Sequence, residues 1–406
     1  MRQVQGLAIL AFLFGGFATC ADWNQFRGPL ANASAEGVSI PDEWGPDRNI
    51  RWSIPLAGVG YSSPVISGGK VFLTTCLEPT GERLLVCHDL ETGKELWKQG
   101  VVKAPLETRH QLSSCANSTP LATSDRVYCS FLDKDRYLLA AYDHGGKEKW
   151  RRDLGAYVNK HGFCSSPMLQ DGNLLIAADN DASGFVAAIN PATGETVWRH
   201  ERTNSVRSFS VPVPGTDKRQ VLVAGCRGLT SLDSQTGKVQ WRVETPTEKF
   251  VAAPAVCSGI ALISGSSPEN TLWGVNIKEG GKVEWKESAN SLYTCSPVVA
   301  NGLVFGVTDQ GVAWCLDPAT GKRHWTERLG KAHHASLLAV NHTVLAFDQS
   351  GACHVIEASS RFRKTRTNKL PGEIHATPAL LADGLVIRTT DSLIRIGIQK
   401  PSQKIH

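Results

Sequence analysis

The sequence predicts an all-β protein: an eight-bladed β-propeller of four-stranded antiparallel blades, closed by an N-terminal strand that completes the last blade. Three observations carry this prediction. A turn of the form Asp-x-x-Thr-Gly-x-x-x-Trp recurs at intervals of about 40–50 residues, the spacing of propeller blades. A small residue followed by proline opens each unit. The last unit stops near Ile398 without a closing strand, while Asn49-Ile50-Arg51-Trp52-Ser53-Ile54 reads as one and precedes the first opening.

The turns run Asp89–Trp97, Asn190–Trp198, Asp233–Trp241 and Asp317–Trp325. Asp143–Trp150 is one residue shorter and Asn276–Trp285 one longer. Asp or Asn folds its side chain onto the turn backbone, and Gly takes the left-handed conformation. The tryptophan then closes the next strand into a packed interface. Trp52, Trp97, Trp150, Trp198, Trp241, Trp285 and Trp325 are therefore the expected blade-docking residues. The seventh unit, through Glu357–Lys364, has lost both Gly and Trp.

The openings are Ser63-Pro64, Thr119-Pro120, Ser166-Pro167, Val211-Pro212, Ala253-Pro254, Ser296-Pro297 and Thr377-Pro378, with Ser336-Leu337 in the same place without its proline. That makes eight openings. Two further strands lie between each opening and its turn, such as Val71–Thr75 and Leu84–Cys87. Closure of the ring removes sheet edges that would otherwise aggregate.

The chain has 406 residues, 41% apolar and 20% charged, a globular composition with no low-complexity tract. Its net charge of +5 is scattered, which argues against a nucleic-acid binder. Met1-Arg2 followed by the apolar run Gly6–Phe17 reads as a signal peptide, too short to span a bilayer. Cleavage after Ala21 is the favoured reading, against lipidation at Cys20 or an uncleaved anchor. The expected organisation is 1–21 signal peptide, 22–48 extended arm, 49–398 propeller and 399–406 tail. No other stretch is apolar enough to cross a membrane, so a periplasmic or extracellular monomer is expected. Of eleven cysteines, most lie in apolar strand patterns and read as buried thiols rather than disulfides; there is no Cys-x-x-Cys.

The repeated turn resembles the quinoprotein, or pyrroloquinoline quinone, repeat over roughly residues 50–398. Trp23-Asn24-Gln25-Phe26-Arg27-Gly28-Pro29 also looks like the opening of a group of bacterial quinoprotein-repeat proteins. The resemblance implies one of two branches. Quinone-dependent dehydrogenases hold the quinone in the central funnel, many with a vicinal disulfide over it, and with calcium bound by Glu and Asn. The other branch is non-catalytic and similar to the lipoprotein subunit of the outer-membrane β-barrel assembly machinery. This chain has no Cys-Cys pair and no long inter-blade insertion, the widest gap between closing tryptophans being 53 residues. No catalytic residue, metal ligand or cofactor is therefore assigned, and Asp89 and Asp317 read as turn residues.

The connections before the openings lie around one mouth of the channel. Aligned on the opening proline, the residue three before it is Tyr61, Asn117, Cys164, Phe209, Val251, Thr294, His334 and His375; His110, Cys115, His161, Arg207, Tyr293 and His333 lie nearby. Tyr61, His110, Cys164, Arg207, Tyr293, His334 and His375 are the candidate ligand-binding residues of this rim, with His334 and His375 the pair expected to lie closest. The competing reading is polar loops with side chains wedged between blades. Arg361–Arg366 is the one basic cluster and reads as a solvated edge hairpin. The function expected is an exported scaffold for a protein or peptide, in cell-envelope assembly. A small-molecule or carbohydrate site in the funnel is the alternative, and a quinone-dependent dehydrogenase a weaker one.

Overall fold

The computed structural model describes residues 22–202 and 206–398. The signal-peptide and tail expectations, and Cys20, lie outside them. The described residues form eight four-stranded antiparallel blades around a channel, as the repeat predicts. Blades are numbered here from the chain start, by the range from their innermost to their outermost strand. Blade 1 is Val65–Lys103 and blade 2 Leu121–Ala156. Blades 3 to 7 are Met168–Glu201, Val213–Glu244, Ala255–Glu287, Val298–Arg328 and Leu338–Lys369. Blade 8 takes Ala379–Leu381, Gly384–Arg388 and Ser392–Gly397 from the chain end and Ile50–Pro55 from its start. No helix is long and apolar enough to cross a membrane among the described residues.

The middle strands of each blade are near-continuous apolar runs because a neighbouring blade covers both of their faces. Val71–Cys76 and Leu84–His88 of blade 1 are wholly buried. The outermost strands alternate, as in Glu148–Ala156, where one side meets water. A one-residue register shift directly precedes the docking position in all eight blades. Such a bulge re-aims the next side chain out of its own sheet, here toward the next blade.

That side chain is the predicted tryptophan. Trp52, Trp97, Trp150, Trp198, Trp285 and Trp325 each donate Nε1–H to a backbone carbonyl in the following blade's turn: Leu90, His144, Pro191, Ser234, Pro318 and Ser359, at 2.8–3.0 Å. The turn glycine lies flat on the indole. A Cβ on Gly93, Gly146, Gly194, Gly237, Gly281 or Gly321 would stand 2.4–2.9 Å from the tryptophan of the preceding blade, Trp241 serving Gly281. Each of these glycines also has φ between 68° and 88°. Glycine is thus required twice, by conformation and by contact.

Blade 7 departs from the pattern. Arg366 stands at the docking position, opposite Val355. Trp325 of blade 6 meets Phe362 edge-on at 5.0 Å in place of a glycine. The arm brings buried Trp44 to this edge, its backbone N–H bonded to Asn368 Oδ1 at 3.1 Å, while Asp42 pairs with Arg366. The ring seam between blades 8 and 1 is tied by Arg388, which donates to Thr74 O and Ser62 Oγ at 2.8 Å each. Arg395 adds a bond to Leu90 O at 3.0 Å.

The arm is not merely laid over the surface. Its residues visit the inner strands in ring order. Ile66 of blade 1 donates to Trp23 O at 2.8 Å, and Ala122 of blade 2 to Asn24 O at 2.8 Å. Leu169 of blade 3 donates to Gln25 Oε1 at 2.8 Å, and Phe26 packs against the core of blades 4 and 5. Arg27 reaches Pro297 O before blade 6 at 2.6 Å. Ala339 of blade 7 donates to Ala33 O at 2.9 Å, and Ser39 donates to Ala382 O in blade 8 at 2.8 Å. Ser34–Ala35 adds a parallel fifth strand to blade 7. Asp22 is held by Ser67 Oγ and the Gly68 N–H, at the end of the inner strand opposite the funnel mouth.

Nine of the ten described cysteines are buried. Trp314 is fully buried in the core and donates to Asn290 O at 3.0 Å.

The indole–glycine contact makes a direct prediction. Gly237→Ala, whose new Cβ meets Trp198 at 2.4 Å, should cost about 2–3 kcal/mol, by clash and strain together. Gly172→Ala has the same sign of φ but nothing within 4 Å of the new Cβ, and should cost only about 1 kcal/mol. Urea unfolding of the two variants measures the difference; equal losses would remove the contact from the account.

Candidate functional site

One cavity of about 180 Å³ opens on the face bearing the opening loops. Tyr61, His110, Cys164, Tyr293, His334 and His375 all line it, so six of the seven rim residues singled out in the sequence converge there. Arg207 does not line it. It turns aside to Asp181 and holds both carboxylate oxygens at 2.7 Å. His333, one residue before the rim, faces into the blade 7 core, 6.0 Å from the ring of His354.

The predicted pair is in place. His334 and His375 stack with centroids 5.3 Å apart and planes 5° apart, and Tyr61 continues the stack on His375 at 4.4 Å and 19°. Glu373 Oε2 lies 3.0 Å from His375 Nε2. Across the mouth, His110 and His161 approach at 5.6 Å, and the His110 N–H bonds to His161 O at 3.2 Å, joining two adjacent loops. Burial holds His334 and His161 below the usual histidine range, so both rings favour the neutral form.

Two features of the cavity were not read from the sequence. Phe26, from the arm, lines it and lies on its inner side. The small residue before each opening proline also has a chemical role. The Ser63 N–H donates to Thr119 Oγ1, Thr119 to Ser166 Oγ, Ala253 to Ser296 Oγ, Ser296 to Ser336 Oγ and Ser336 to Thr377 Oγ1, all at 2.9–3.0 Å. Each hydroxyl accepts from the blade before it, giving two inner arcs, Ser63 to Ser166 and Ala253 to Thr377, with Val211 and Ala253 carrying no hydroxyl between them. The recurring small residue before proline was the available signal.

A family model described as outer membrane protein assembly factor BamB matches residues 44–181, 80–327 and 182–397. The chain belongs to the BamB family. Curated relatives include the BamB of Moranella endobia, 24% identical over 293 residues, covering 67% of this chain and 72% of that protein. The BamB of Yersinia pestis is 23% identical over 207 residues, covering 46% of this chain and about half, 51%, of that protein. Among solved structures, BamB from Moraxella catarrhalis superposes with a TM-score of 0.62 at 13% identity, over 86% of this chain and 98% of that one. A europium-containing methanol dehydrogenase reaches 0.68 at 10% identity, over 91% and 90%. At these identities the superpositions establish the fold alone.

Pyrroloquinoline quinone, the cofactor that the sequence resemblance raises, does not suit this cavity. A quinone slot needs an aromatic plate, a sulfur opposite and carboxylates for calcium. The lining contains Cys164 but no tryptophan, Asp or Glu. Among the described residues no group of three or more His, Cys, Asp or Glu is placed to hold a metal.

His333 gives a pH prediction. Its Nδ1 meets Lys331 O at 2.9 Å, its Nε2 has no partner, and burial pushes it down to about 4 from 6.5. His354 and His334 oppose its protonation too, and Asp348 favours it. Between pH 6.5 and about 4 the unfolded chain takes a proton that the folded chain refuses, so stability falls as pH falls. The loss should approach about 3 kcal/mol. His333→Asn, which keeps a donor for Lys331, should flatten that acid limb in urea titrations at pH 7 and 4.5; an unchanged limb would assign it elsewhere.

Proposed function

We propose that this chain is an exported, non-catalytic β-propeller that acts as a monomeric protein-binding scaffold in outer-membrane protein assembly. The observation that carries the reading is the match to the BamB family across residues 44–397, nearly the whole ring. The curated relatives in that family are named as assembly factors. The cavity chemistry supports the same side of the choice, since its lining does not suit a quinone. The apolar run Gly6–Phe17 would direct export.

The mechanism of such a scaffold is shape. A rigid toroid presents loops on two faces and eight outer strands whose free edges can pair with an extended segment. Those strands carry exposed apolar side chains beside the docked tryptophans: Leu96, Val197, Val239 and Val283 are 36–49% exposed. Apolar exposure next to unpaired strand edges suits capture of a partner strand.

Asp22 sits at the non-funnel end of the channel. Two residues of chain reach only about 7 Å, so any anchor at Cys20 would turn that face to the membrane and leave the funnel pointing away.

Deleting the gene in its own host should lower the outer-membrane content of β-barrel proteins. A photo-crosslinker at Leu96 or Val197 should join the protein to a β-barrel protein or its insertion machinery, and one at Leu112 on the funnel rim should do so less. Unchanged barrel content together with no such adduct from the outer strands would overturn the reading.

A further inference from the structure

The cavity is a blind cup, and its chemistry goes beyond a docking surface. Phe26 and the rest of the Trp23–Arg27 segment fill the channel on its inner side, so the cup opens only through the loop face. Its inner wall carries Thr119, Ser166, Ser296, Ser336 and Thr377, each no more than 4% exposed. Each of these hydroxyls accepts a backbone N–H, and none gives its own proton to an acceptor among the described residues. A buried hydroxyl has one donor to place, and leaving it unplaced costs stability. Five such donors around one small cavity make a wall that wants acceptor oxygens.

The rest of the lining restricts what can bring them. No Lys, Arg, Asp or Glu lines the cup. An anion or cation would be desolvated there without a counter-charge, which is unfavourable. The parallel rings of Tyr61, His375 and His334 form one side, and Phe209 and Val251 lie on the lining with them. His334 belongs to this stack through its ring face, with its Nδ1 shut away from the open cup. The cup therefore combines hydroxyl donors, apolar surface and aromatic rings.

We propose that the cup binds a neutral polyhydroxylated ring, a single saccharide unit. The hydroxyl oxygens of a sugar accept from the Ser/Thr wall, and its C–H faces pack on the rings and Phe26. This site is independent of the scaffold reading: it lies in the channel, whereas the partner strand would lie on the outer edges.

The test is calorimetric titration and saturation-transfer NMR of the mature protein with D-glucose, D-galactose and N-acetyl-D-glucosamine, with inorganic phosphate and acetate alongside. Binding of at least one neutral sugar is expected, with phosphate and acetate silent. His334→Leu should weaken it at least tenfold while keeping the melting temperature, and Val197→Ala on an outer strand should leave it unchanged. If His334→Leu does not fold, Leu112→Trp at the mouth serves instead, and should abolish binding by filling the entrance. No saturation transfer from any of the three sugars would overturn the proposal. So would binding of the anions alone, or sugar binding untouched in both folded cup variants. Each of these results leaves the gene-deletion and crosslinking outcomes unaffected.

Discussion

A ring of short inner strands leaves N–H and C=O groups facing its own axis, and something must satisfy them. In this chain the arm does so. Trp23, Asn24, Gln25, Phe26 and Arg27 each reach a different part of the ring, and Ala33 and Ser39 complete the circuit. Backbone groups shut away from water need partners, so a channel this narrow is either wet or filled. Filling it from one side does two things at once. It fastens the chain start to nearly every blade, and it turns a through-channel into a cup with Phe26 inside. The placement of the funnel chemistry follows from that.

Around the perimeter a second, repeated contact holds the blades in phase. A bulge aims the tryptophan, the next blade's turn carbonyl takes its N–H, and the turn glycine leaves room for the indole. The inner Ser/Thr hydroxyls do the same work at the channel side, at five of the eight steps. Where a unit breaks the rule the structure substitutes. Phe362 replaces a glycine contact, Trp44 bonds to Asn368 on the same edge, and Arg388 and Arg395 of blade 8, the blade built from both chain ends, bond across to blade 1. Buried guanidiniums are costly; burial holds Arg388 down to about 9. Their position at the seam, donating to backbone carbonyls of the first blade, indicates what offsets that cost.

The repeating parts of this architecture were legible in the sequence because they recur. Six turns of one form located the blades, and the orphan strand around Trp52 located the closure. Alignment on the opening prolines placed Tyr61, His334 and His375 on one rim, and they stack there. What does not recur was not legible. Trp23–Arg27 reads as a motif, yet each residue meets a different blade, so no periodicity marks its position in the channel. Arg207 lies two residues before the rim position of its unit, but its partner Asp181 is 26 residues away, and that charge pair decides where the side chain goes. The residue before each proline was noticed for being small. Its hydroxyl matters because of a backbone N–H one blade away, which only the closed ring brings near.

The central claim is that the arm is a fixed part of the ring. Amide hydrogen exchange of the mature protein tests it at Ile66, Ala122 and Ala339, whose N–H groups donate to Trp23, Asn24 and Ala33. If the arm is docked, these three amides exchange as slowly as the middle strands of their own blades. If they exchange at the rate of open loop amides while the middle strands stay protected, the channel is not filled, and the blind cup and the site built on it fall together.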